Sequence, residues 1–98
     1  MGKYLVLWEI DPARVPTDPK EKAAAWLALI DVLKADMKKG FHKDWGAFPA
    51  EMKGYSIAEC TETQLVSLCM PYLPYVKFEV HPVISLAQDE EVIRASMK

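Results

Sequence analysis

Apolar and polar positions along the chain change their period several times, and each change marks an element. Tyr4-Leu5-Val6-Leu7-Trp8 is a continuous apolar run closed by Glu9 and Ile10. Bulky and β-branched residues of this kind favour a strand. The lack of alternation implies that both of its faces are covered. Asp11 to Asp18 carries Pro12 and Pro16, with Pro19 just beyond, and reads as a loop. From Pro19 the period becomes helical. Trp26, Leu29/Ile30, Leu33 and Met37 recur every three or four residues as one apolar stripe. Asp18 fits the N-cap, Pro19 the first helical position, and Glu21 stands three residues after the cap. Lys38 and Lys39 suit the negative end of the helix dipole and Gly40 its terminus, so the spacing predicts a helix over 19–39.

Phe41 to Phe48 and Lys53 to Cys60 read as two further strands, with Pro49 and Gly54 bracketing the turn between them. Thr61 with Gln64 makes a capping box for a second helix, on which Leu65, Leu68, Cys69 and Tyr72 share a face. Pro71 and Pro74 end it near Met70–Leu73. Val76, Phe78 and Val80 alternate with Lys77, Glu79 and His81, the signature of a half-buried strand. Ser85 and Gln88 cap a last helix with Leu86, Ile93 and Met97 along one side.

The order is β-α-β-β-α-β plus a terminal helix, the ferredoxin-like or split-βαβ pattern of the α+β class. Residues 1–98 form one domain, with an expected radius of gyration of about 13 Å. In this topology both main helices lie on one side of a four-stranded antiparallel sheet. The first strand carries leucines on one side and Tyr4, Val6 and Trp8 on the other, so an apolar set is left bare in a monomer. Burying Leu5 and Leu7 is worth about 1.5–3 kcal/mol each. A sheet-to-sheet homodimer through Leu5 and Leu7 is therefore expected.

With these elements in place, the whole chain resembles members of the dimeric α/β-barrel superfamily, and is closest to small families of unknown function within it. The likeness is carried by Pro74-Tyr75-Val76-Lys77-Phe78-Glu79-Val80-His81-Pro82-Val83-Ile84, similar to a last strand in which an F-E-V-x-P-V stretch recurs, and by the Tyr4–Trp8 and Gly54–Glu59 strands. The resemblance implies two sheets packed into a barrel. Its relatives include lactone isomerases, cofactor-free monooxygenases, haem-degrading enzymes and ligand sensors, so the fold by itself selects no activity.

Composition removes several functions. A net charge of −2, a pI near 5.6 and only two arginines, Arg14 and Arg94, argue against binding a phosphate backbone. Lys53-Gly54-Tyr55-Ser56-Ile57-Ala58-Glu59-Cys60 partly matches the third-strand octapeptide of RNA-recognition domains. Ile57 and Cys60, however, stand where aromatic residues are required, so RNA binding ranks as a distant third reading. Cys60 and Cys69 match neither a redox nor a zinc pattern and are expected to be reduced thiols, which with the absence of an apolar leader or span suggests a cytoplasmic protein.

For chemistry, His81 and Glu79 project the same way from one strand, and Glu9 can approach from the next. A carboxylate that orients an imidazole makes a general base. The plainer reading is an ion pair on an edge strand. His42, Asp44 and Trp45 form a second group. No histidine pair has metal-ligand spacing, so neither a metal nor a cofactor is expected. The expected function is a cofactor-independent small-molecule protein with a helix–sheet cleft. In it His81 or His42 would be the base, Glu79 or Glu9 the orienting partner, and Trp26, Trp45 and Tyr55 the walls. The alternative is a non-catalytic interaction or sensor module.

Overall fold

The computed structural model describes residues 2–97. Strand β1 (Gly2–Ile10) leads through one turn of 3₁₀ helix (Pro12–Arg14) to helix α1 (Pro19–Lys38). Strands β2 (His42–Ala47) and β3 (Lys53–Cys60), helix α2 (Glu62–Cys69), a second 3₁₀ turn (Met70–Tyr72), strand β4 (Val76–Val83) and helix α3 (Leu86–Ser96) follow. The sheet runs β2-β3-β1-β4 with every neighbouring pair antiparallel. This is the α+β order read from the sequence, with β1 central and β4 at an edge.

Local chemistry sets the helix ends. The Asp18 carboxylate accepts from the Glu21 amide at 3.0 Å, and Gly40 takes φ +82° just past the C-cap Lys39. Both capping boxes form: Thr61 with Gln64 opens α2 and Ser85 with Gln88 opens α3. Strand β2 is two residues shorter than the Phe41–Phe48 expected from the sequence, and β4 runs two residues past its alternating stretch, through Pro82 and Val83.

The core lies between the sheet and α2. Tyr4, Val6, Ala58, Cys60, Leu65 and Leu68 are all buried, with Phe41, Cys69 and Phe78 packed against them. Even-numbered residues of β1 therefore face the helices and odd ones the open side. Two aromatic rings lie over glycines of the neighbouring strand, a pairing that covers bare backbone. Trp8 is registered opposite Gly54, where a Cβ would strike the indole and the Gly46 carbonyl; Tyr55 is opposite Gly46.

Helix α3 departs from the compact arrangement. The molecule is 62 Å long and 26 Å wide, and its radius of gyration of 16.5 Å exceeds the expected value of about 13 Å. Every described residue of α3 is exposed, Leu86 by 86%, so its apolar side has no cover among the described residues. Met37, placed on the α1 stripe by its spacing, is 44% exposed as well.

Candidate functional site

Between α1, α2 and the sheet lies a partly open cavity of about 140 Å³. Its origin is a size mismatch. On the helix side β3 presents only small residues, Gly54, Ser56, Ala58 and Cys60, all buried. On that side β1 presents Val6, Trp8 and Ile10, and α1 spans the gap with Trp26, Leu29, Ile30 and Leu33. Leu65, Leu68, Cys69 and Tyr72 close one wall, and Val76 and Phe78 of β4 another. All three tryptophans of the chain line this space, and the Trp8 and Trp45 rings stack at 5.4 Å with 9° between their planes.

A register break in β2 gives the cavity its polar group. His42 pairs with Ala58 but Asp44 pairs with Ile57, so Lys43 is an extra residue. The bulge turns both His42 and Trp45 toward the helices and leaves Asp44 on the open face. There Asp44 accepts from the Tyr55 hydroxyl at 2.8 Å, which raises the pKa of that phenol. The imidazole Nδ1 of His42 lies 2.7 Å from Ser56 Oγ. Its Nε2 is closed off from water and has no partner among the described residues. Burial lowers the His42 pKa, only partly opposed by the charge of Asp36.

Asp36 is the other buried polar group near this wall. It is 4% exposed, accepts from the Tyr72 hydroxyl at 2.8 Å, and is paired with Lys39 Nζ at 3.2 Å. Burial, and then the bond to Asp36, pushes the Tyr72 hydroxyl well above the ordinary phenol range. The thiol of Cys69 is raised mainly by burial; both cysteines are free.

The sheet divides the residues proposed from the sequence. His42, Trp26 and Trp45 line the cavity. Tyr55, Glu9, Glu79 and His81 belong to the opposite face, with Leu5 and Leu7 between them in the register. His81 Nε2 lies 3.5 Å from Glu79, both side chains more than half exposed, while Glu9 is registered against Lys53 and Lys77. Neither Glu79 nor Glu9 is brought to His42. No group of three or more His, Cys, Asp or Glu among the described residues is placed to hold a metal.

Ser56, Asp36 and Tyr72 were not proposed as site residues from the sequence, although Tyr72 was placed on the shared face of the second helix and the other two leave a trace in it. Ser56 sits in a period-two run of small residues, and Asp36 falls on the α1 stripe three residues after Leu33.

A family model described as a domain of unknown function, DUF3303, matches residues 2–97. The chain belongs to the DUF3303 family. No curated protein shows significant similarity to it. In this DUF3303 chain no described helix is long and apolar enough to cross a membrane.

Proposed function

We propose that this DUF3303 domain binds a small, mainly apolar organic molecule in the cavity between α1, α2 and the sheet. The observation that carries the reading is one buried nitrogen, His42 Nε2, without a partner among the described residues, on a side chain that walls an otherwise greasy space. The cavity of about 140 Å³ is lined almost wholly by apolar side chains. Its volume is close to that of engineered cavities that take up benzene. A monocyclic occupant gaining about 0.5–0.7 kcal/mol per heavy atom has a dissociation constant between about 10 µM and 1 mM. Binding fits the site better than proton transfer, because burial disfavours the charged imidazole and no carboxylate among the described residues accepts from the ring.

A screen of monocyclic compounds by thermal shift tests this. A ligand at ten times its dissociation constant adds about 1.4 kcal/mol, or a Tm rise of about 5–10 °C. The same ligand perturbs tryptophan fluorescence, and Leu33→Trp, which fills the space, abolishes both responses. A screen in which no monocyclic compound gives either signal removes the reading.

The open face of the sheet supports homodimerisation as a second property of the domain. Leu5 is registered opposite Ile57 and Leu7 opposite Tyr55, and all four are half-buried in the isolated chain. Around them Lys3 is opposite Glu59, and Glu9 opposite Lys53 and Lys77, so the charges are matched within the face. An apolar centre with a self-neutralised rim suits a second copy, sheet against sheet.

A further inference from the structure

The pairing of Ser56 with His42 constrains the chemistry of the occupant as well as its size, a constraint that rests on the cavity binding a small molecule. Ser56 is 3% exposed, and among the described residues its hydroxyl has one partner, His42 Nδ1 at 2.7 Å. The hydroxyl has one proton to place. A neutral imidazole carries one proton for two nitrogens. If the ring donated from Nδ1, the serine proton and the Nε2 lone pair would both be unmet inside the protein. If the hydroxyl donates to Nδ1, only Nε2–H is unmet. Each unmet buried group costs about 1–3 kcal/mol, so the second arrangement prevails. Nε2 is therefore a hydrogen-bond donor.

The surrounding charge narrows the class further. Both oxygens of Asp36 are engaged, by Tyr72 and Lys39, so that carboxylate is not free to receive a cation. No lysine or arginine among the described residues lines the cavity, so an anion buried there meets no counter-charge. The rest of the lining is hydrocarbon and aromatic.

We propose that the cavity selects neutral, flat, monocyclic molecules bearing one acceptor of the carbonyl or ether type, which accepts a hydrogen bond from His42 Nε2–H while the ring lies among Trp8, Trp26 and Trp45. Because Nε2 is sealed from water, the acceptor reaches it after a small shift of the imidazole or its neighbours. That seal excludes ligands too bulky to part it.

Four probes of similar size separate the alternatives by tryptophan fluorescence titration: acetophenone, ethylbenzene, benzoate and benzylamine. Acetophenone is expected to bind about tenfold or more tightly than ethylbenzene, and both charged probes more weakly than either. In His42→Phe the acetophenone preference falls to within about threefold. Nitrogen-15 NMR of the wild-type imidazole, which needs no variant, is expected to show the proton on Nε2. Equal binding of acetophenone and ethylbenzene to the wild type, tighter binding of benzoate, or a proton on Nδ1 overturns the selection. Silence from all four probes instead overturns the binding reading, and the selection with it.

Discussion

The unpaired nitrogen of His42 makes a quantitative prediction about stability. A buried polar atom without a partner costs about 1–3 kcal/mol, whereas a hydrogen bond that is made contributes only about 0.5–1.5 kcal/mol net. His42→Phe alone exchanges one unmet group for another, because Ser56 Oγ then loses its single partner. Its stability should stay within about 1 kcal/mol of the wild type. His42→Phe with Ser56→Ala removes both polar groups, and the adjacent cavity of about 140 Å³ accepts the larger ring without strain. The balance is a gain of about 1 kcal/mol, which in a domain of this size raises Tm by about 4–8 °C. Urea and thermal unfolding followed by circular dichroism measure it, with an unchanged urea m-value showing that the unfolded state is the same. A double variant that is less stable than the wild type by 1 kcal/mol or more would mean that Nε2 is satisfied in solution, and the reasoning about its donor role would fail.

Four further outcomes follow from the geometry. Unfolded, the His42 imidazole titrates near 6.5, and burial holds its folded value lower. Below about pH 6.5 the unfolded chain binds more protons, so this residue's contribution is intact above that value and is lost as the pH falls toward its folded pKa. The difference in stability between wild type and His42→Phe should therefore be flat above pH 7 and turn against the wild type below pH 6.5; a difference independent of pH would contradict it. Gly54→Ala should cost about 2–3 kcal/mol and alter the near-ultraviolet dichroism of the tryptophans, since a methyl there meets backbone as well as the Trp8 ring. Gly40→Ala has open space but a φ of +82°, and should cost only about 1–2 kcal/mol, with the tryptophan signal unchanged. Leu7→Lys should turn a dimer into a monomer in light scattering at micromolar concentration while leaving secondary structure intact, and a wild type that is already monomeric removes the dimer.

What could be read from the sequence was what short-range chemistry decides. Asp18, Pro19 and Gly40 delimit α1, and the Thr61–Gln64 and Ser85–Gln88 pairs start the later helices, because a cap depends only on residues a few positions away. The period of two in β4 placed that strand for the same reason, and Pro49 and Gly54 marked the turn between β2 and β3. The site was harder to read because one inserted residue governs it. Strict alternation puts His42 and Asp44 on one face; the bulge at Lys43 sends them to opposite faces and brings His42 and Trp45 together. Period alone therefore could not separate the cavity group from Tyr55, Glu9, Glu79 and His81. The cavity itself depends on residues far apart in sequence, the small side chains of β3 facing the large ones of β1 and α1. Asp36 and Tyr72 meet across 36 positions, a distance that no local pattern reports.

The most direct test of the account is a crystal of the protein soaked with iodobenzene and measured for anomalous scattering. An iodine peak between α1 and the sheet, in van der Waals contact with Trp8, Trp26 and Leu33, is the predicted result. A well-ordered structure in which those side chains have closed the space, with no iodine there, would contradict the claim that this fold keeps a cavity open for a ligand.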